Sequence, residues 1–322
     1  LSGRGLRSLF GLEVAGYEPH VLHDPSRTYR ETNCYMDVVI ELLHARGDEP
    51  RAALGSLVRS DFEGDQWTFS KPPPADLETL FGIDIHEMQP YRPLPLQIAE
   101  QIDRGDTMII ELDSFHLPDT HATTYQREHV KSSAIPEAID LEREYLRYFH
   151  NTGLHWLEGD DFRGALRVEG QSPAALPPYV ELARLDAGPR LRGEELRDQA
   201  LELLRGHLAH RPAGDPFARF GEQLARELPA LLTGELDHYH AYAFATVRMV
   251  GASSELLASH VQWLLGDRAP DTLVQLGQVV DGCKVLGFRL ARRREFDVEA
   301  LLEPLSAAWA GALASLADRA EG

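Results

Sequence analysis

Cys34 stands between Asn33 and the run YMDVVIELLHARG, in which Met36, Val39, Ile40 and Leu43 recur at helical spacing and Gly47 supplies a stop. Asn33 is a favoured helix N-cap, so the thiol is expected at the mouth of a helix. There the positive end of the helix dipole and the nearby backbone N–H groups stabilise a thiolate and lower the thiol pKa. The same N–H groups could hold an oxyanion. A lone cysteine can equally be a small buried hydrophobe. What gives it chemistry is a base, and the base in turn needs a group that orients it.

Two residues downstream suit those roles. His129 stands directly before the β-compatible run Val130–Ile139, and Asn151 directly after the alternating run Tyr145–His150. Papain-like folds take the base from the start of one strand and its orienter from the end of the next, in the order Cys, His, Asn seen here. An Asn can accept the imidazole N–H and fix its tautomer, as an Asp does in serine triads. Asp113, closing the run Thr107–Leu112, is a second candidate orienter, with a strand-end turn former as the plain alternative. His116, His121, His150 and His155 are competing bases, although His150 should point to the opposite face from Asn151 if both lie in a strand. Asn33, Tyr35, His116, Tyr125 and His150 are expected to line the substrate site. His116, Asp119, His121 and His129 could ligate a metal, but no recognised ligand spacing connects them, and none is expected. No glycine-rich nucleotide loop and no G-x-S-x-G elbow occurs, so no nucleotide cofactor is indicated.

The elements that must position these residues divide the chain in two. Residues 1–190 read as an α+β domain: helices at Cys34–Gly47, Asp76–Phe81 and Leu94–Arg104, then strands at Thr107–Leu112, Val130–Ile139, Tyr145–His150 and Tyr179–Leu185. Pro136 implies an edge position or a bulge within its strand. Residues 191–322 read as an all-α bundle of five helices, with Asp215-Pro216 opening the second and Glu235–Leu265 forming one long helix bent near Gly251. The Pro/Gly-rich stretch Ser172–Gly193 straddles the boundary. Tyr239, His240, Tyr242, Arg248 and Glu255 are polar positions within that long helix. They are either hydrogen-bonded core groups or the wall of an acceptor pocket.

Composition narrows the classes of function. With 51 acidic against 32 basic residues the formal charge is −19, a field that repels nucleic acid and anionic membranes. An acidic protein partner would need a local basic patch, and Arg289, Arg292, Arg293 and Arg294 are the best candidate; the plain alternative is a solvated helix end. Two cysteines, Cys34 and Cys283, argue against a disulfide framework and for a reducing, cytoplasmic setting. No uninterrupted apolar stretch of about 18 residues occurs, so no membrane span is expected. The first ten residues lack the apolar run of a signal peptide, and the absence of an initial Met suggests that leading residues were trimmed.

The segments NCYMDVVIELLHARG, LDSFHLPDT, EHVKSSAIP and YFHNTGLHWLEGDDF resemble the bacterial family called domain of unknown function 1839. FGEQLARELPALL, YHAYAFATVRMVGASSELLASHVQWL and GFRLARRREF extend that resemblance through the back half. The family is in turn distantly similar to the N-terminal domain of the butirosin-pathway acyltransferase BtrH. In such enzymes a papain-like cysteine moves an aminoacyl group from a carrier-protein thioester to an amine. The resemblance implies Cys34 as nucleophile, Asp113 with Leu117-Pro118 at a strand end, and His129 as base. Asn151-Thr152 departs from the Asp-Pro usual at the third position. It further implies an aminoacyl carrier protein as partner, its phosphopantetheine arm as donor and a small-molecule amine as acceptor, with no other cofactor. A cysteine hydrolase (peptidase, amidase or thioesterase) and a non-catalytic binding module are the alternative readings.

Overall fold

The computed structural model describes residues 5–168 and 177–321; the part of the expected linker before Pro177 lies outside them. In chain order the front half forms β1 (Arg7–Ser8), α1 (Cys34–Ala45), α2 (Pro74–Phe81), β2 (Asp84–Met88), α3 (Leu94–Arg104), β3 (Thr107–Asp113), β4 (Lys131–Asp140), β5 (Tyr145–His150), β6 (Gly153–Glu158), α4 (Asp160–Ala165) and β7 (Val180–Arg184). The back half forms α5 (Gly193–Ala209), α6 (Pro216–Thr233), α7 (Leu236–Ala243), α8 (Met249–Leu264), α9 (Pro270–Ala291) and α10 (Val298–Glu321). This is a mixed α+β region followed by a helical one. The strands make one antiparallel sheet in the order β2-β7-β3-β4-β5-β6, with β1 added against β4.

The sheet has two different faces because strand side chains alternate. Met108, Ile110 and Leu112 of β3 enter an apolar core with Leu94, Ile98 and Ile102 of α3 and Phe162 and Ala165 of α4. Their neighbours Ile109, Glu111 and Asp113 point the other way. Glu111 pairs with Ser133 and Asp113 with Lys131, so these four share a face. α1 lies against β4 and β5, and the Cys34 contact with Ser133 puts its N-terminus on this second face.

Pro136 sits inside the sheet, between β3 and β5, and a bulge accommodates it. Pro136 pairs with Tyr148 and Ala138 with Arg147, leaving Glu137 as the extra residue. The fully buried Glu137 carboxylate accepts from Arg147 Nε at 2.5 Å, from Ser8 Oγ at 2.6 Å and from the Phe10 amide at 3.0 Å. One buried ion pair thus fastens β1 to the sheet.

The chain divides into two compact units. The first comprises the chain up to Asp24, Asn33–Pro50 and Pro73–Leu191; the second comprises Pro25–Thr32, Arg51–Pro72 and everything from Arg192. The main division falls beside the expected boundary, but two front segments belong with the helices. Aromatic packing explains one of them: Phe62 and Trp67 stack on Phe217 and Phe220 of α6 with ring centroids 4.9–6.0 Å apart. In the other, the Thr28 and Tyr29 amides donate to the Glu255 carboxylate at 3.0 and 2.8 Å.

The long helix expected over Glu235–Leu265 is interrupted not at Gly251 but by a π turn over Phe244–Arg248. Gly251 lies within α8, where the Tyr29 ring approaches so closely that a Cβ would meet it at 2.5 Å. α10 is long and apolar enough by composition to cross a membrane. Its Leu302, Leu305, Trp309, Ala312 and Leu316 are buried within the second unit.

Candidate functional site

Asn33 caps α1 as expected, in extended conformation (φ −153°, ψ 160°), its side-chain oxygen accepting from the Tyr35 and Met36 amides at 3.1 and 2.9 Å. That capping changes the oxyanion argument. Two first-turn donors are occupied by Asn33, and the Cys34 amide is the one that stays open among the described residues. Cys34 itself is half-buried, and its thiol donates to Ser133 Oγ at 3.5 Å. Cys283, fully buried in the helical unit, is pushed up to about 12 by desolvation, so the two thiols differ in access.

His129 does not pair with Asn151. Its Nδ1 hydrogen-bonds Asp113 Oδ2 at 2.7 Å, and the ring stacks on Phe115 at 4.4 Å with an interplanar angle of 11°. Asp113 Oδ1 accepts from the Phe115 amide at 3.1 Å, which fixes the carboxylate from the other side. An Asp acceptor at Nδ1 requires the proton there and leaves Nε2 as the basic nitrogen. Asn151 is instead the first residue of the two-residue turn joining β5 to β6, with φ +47°, a left-handed conformation Asn tolerates. Its backbone has a task in that turn, and the imidazole nitrogen it was expected to hold is taken by Asp113.

The structure therefore gathers the candidates into two groups. Cys34, Asn33 and Tyr35 at the head of α1, with Asp113 and His129, belong to the α1 face and the same end of the β3–β4 pair. Tyr35 is buried and donates to Glu181 Oε2 at 2.6 Å, and Tyr179 donates to Glu181 Oε1 at 2.9 Å. Glu181 pairs with Ile109, so it shares the face of Glu111 and Asp113. Lys131 Nζ reaches Glu111 at 2.5 Å. Among the described residues no thiol–imidazole hydrogen bond is formed: Ser133, which the sequence reading missed, takes the thiol. Ser133 lies four positions after His129, two alternations of the strand, and that spacing was the available signal.

The second group lies across the sheet. His150 pairs with Ala134 and faces away from Cys34. Its Nδ1 meets Asp119 Oδ2 at 2.5 Å and its Nε2 meets Ser132 Oγ at 2.7 Å. Tyr148 donates to Asp119 Oδ1 at 2.5 Å. Burial raises the Asp119 pKa, but His150, His155 and Tyr148 outweigh it and hold the carboxyl at about 2. His116 packs over Gly164 of α4, where a Cβ would collide with its ring. Tyr125 donates to Asp161, also of α4, at 2.8 Å. The four residues weighed as metal ligands are thus split, His129 going to Asp113 and Asp119 to His150; no group of three or more such ligands forms among the described residues.

The helix behind the thiol is held by a buried charge network. Asp37 and Glu41 of α1 are both buried, and His23 lies between them, Nδ1 2.5 Å from Glu41 and Nε2 3.5 Å from Asp37. Tyr17 also donates to Glu41. Burial opposes the imidazolium, but the two carboxylates push the His23 pKa up to about 9. In the helical unit Glu255 binds the Thr28 and Tyr29 amides and Arg248 pairs with Glu31 at 3.2 Å, so both have partners within that unit.

Two family models match the chain: the DUF1839 N-terminal domain over residues 18–185 and the DUF1839 C-terminal domain over residues 193–318. The chain belongs to the family called domain of unknown function 1839. No curated protein matches it.

Proposed function

We propose that this protein is a cysteine-dependent aminoacyltransferase with a papain-like first domain, moving an aminoacyl group from a carrier-protein thioester to an amine. The observation that carries the reading is the oriented base. Asp113 fixes His129 at the start of β4, on the sheet face where Cys34 opens α1 with a free amide beside its sulfur. In the first step the Cys34 thiol passes its proton to His129 Nε2, directly or through Ser133, and its sulfur attacks the thioester carbonyl. The C–S bond to the phosphopantetheine arm breaks and that thiolate takes the proton from His129. In the second step the amine attacks the Cys34 thioester and gives its proton to His129, and Cys34 leaves as a thiolate that takes this proton back.

The test is intact-mass analysis after incubation with aminoacyl carrier protein. An aminoacyl mass gain that Cys34→Ala abolishes is expected, with the gain discharged on adding an amine. Asp113→Asn should slow acylation by roughly 10³-fold or more, the scale seen when an Asp orienter is replaced by Asn. No gain from any aminoacyl thioester, small or carrier-borne, would refute the reading.

One observation favours a second reading, a binding module without chemistry: the thiol hydrogen-bonds Ser133 rather than the imidazole. Alkylation of Cys34 as a function of pH separates the two. An activated thiol reacts well below its free pKa, whereas a module's thiol follows an ordinary titration. Cys283 is too buried to confuse the measurement.

A further inference from the structure

α7 buries none of its side chains. It runs on through the π turn into α8, which carries it, and its outer side chains are left at the surface. Its first residue, Leu236, is 54% exposed, and Phe244, which follows it in the π turn, is 42% exposed. The end of α9 lies next to this segment. Arg293 donates to the carbonyls of Leu232 and Gly234 at the end of α6, two residues before Leu236. Gly287 of α9 approaches Val247 of the π turn.

On the last turns of α9, Val285 is 45% and Phe288 60% exposed. Lys284, Arg289 and Arg292 are exposed beside them, at spacings that keep them on neighbouring rows of one helical surface. From Lys284 to Arg294 the chain has five basic residues and no acid, within a protein of net charge −19. Lys284, Arg289, Arg292 and Arg294 form no side-chain ion pair among the described residues. An apolar centre with a charged rim is the arrangement of a recognition surface, the centre giving affinity and the rim orientation and on-rate.

We infer that this surface, α7 with the last turns of α9, docks an acidic carrier protein; the inference rests on the aminoacyl-transfer reading and says where the donor is held. The charge argument selects the partner. An acidic protein is repelled by most of this chain and attracted to the end of α9, where five bases outnumber Glu235 and Asp237 at the start of α7. The attraction also predicts steep salt dependence.

The test compares two donors. Acylation of Cys34 is followed by intact mass from an aminoacyl carrier protein and from free aminoacyl-pantetheine. The variants are Arg289→Glu/Arg292→Glu and Phe288→Ser, all at exposed positions. The KM for the carrier should rise about tenfold or more in each variant, while the rate from aminoacyl-pantetheine stays at the wild-type value. An unchanged KM for the carrier overturns the docking surface. So does a sedimentation experiment in which wild type self-associates and the variants do not, since a second copy would then cover the face. If neither donor acylates Cys34, the transfer reading fails. Fluorescence anisotropy of a labelled apo-carrier protein then decides the surface by itself: wild-type binding lost in both variants sustains it, and absent or unaltered binding refutes it.

Discussion

His23 is the residue at which a titration should be felt in the helix that carries Cys34. It is buried between Asp37 and Glu41 of α1, and its pKa rises from the ordinary 6.5 to about 9. A group whose folded pKa is raised stabilises the fold fully below its unfolded pKa and loses that contribution as pH rises through the folded one. The window is therefore about pH 6.5 to 9. A shift of about 2.5 units is worth about 3 kcal/mol at 1.36 kcal/mol per unit. Hydrogen exchange of the α1 amides, corrected for the intrinsic chemical rate, reads this directly as a fall in opening free energy across the window. His23→Gln should abolish the pH dependence and cost about 3–5 kcal/mol at neutral pH, because Asp37 and Glu41 would then share a buried space without a cation. Opening energies that stay level between pH 6 and 9.5 would refute the reasoning, as would a His23→Gln protein that keeps the wild-type slope.

Three further changes have defined outcomes. Arg147→Met should lower stability by about 3–5 kcal/mol in urea unfolding, since it strands the buried Glu137 carboxylate, whereas Arg147→Met with Glu137→Leu should recover most of that loss. Asn33→Ala should cost about 1 kcal/mol and expose the Tyr35 and Met36 amides to faster exchange. Asp119 has its pKa lowered from 3.8 to about 2, so it contributes about 2 kcal/mol that is present above pH 4 and disappears as pH falls through 2. Acid unfolding of Asp119→Asn should lack that component.

The parts of the site legible in the sequence are those fixed by short-range rules. Asn33 before an apolar helical period dictated both the cap and the thiol at the first helical position, and Pro136 narrowed its strand to an edge or a bulge, of which the bulge is found. β6 escaped because its partner turn, Asn151-Thr152, lacks the glycine that usually marks a two-residue hairpin, and because exposed Trp156 and half-buried His155 blur the alternation. The same misreading made Asn151 a triad member. Once that turn is recognised, Asn151 has a conformational task and the orienter must come from β3. Asp113 was equally visible, but the choice between the two depended on register, which a long-range pairing sets and a local pattern does not. The π turn in the long helix likewise has no breaker residue to announce it; Phe244–Arg248 contains neither Gly nor Pro.

Asp119, His150 and Ser132 have the distances of a hydrolytic triad, and geometry elsewhere in the sheet argues against reading them as one. The Ser114 amide donates to the Val130 carbonyl, which makes 114–130 a hydrogen-bonded pair. By the alternation of an antiparallel ladder 112–132 is another, so the Ser132 amide is engaged with Leu112 and cannot bind an oxyanion. His150 is 1% exposed, too enclosed to deliver a proton to a substrate. The set instead anchors a loop. Asp113 and Asp119 are the two carboxylates of one short segment, Asp113–Thr120, and each holds a histidine on a different face of the sheet. The buried pair fixes the segment from below, and the exposed pair presents His129 above. It follows that the two acids should separate in experiment. Asp119→Asn should act mainly on stability and acid sensitivity, with Cys34 alkylation nearly unchanged at neutral pH. Asp113→Asn should leave stability close to wild type and change the pH profile of alkylation. A profile altered equally by both would mean that the loop transmits what Asp119 does to His129, and that the two faces act as one site.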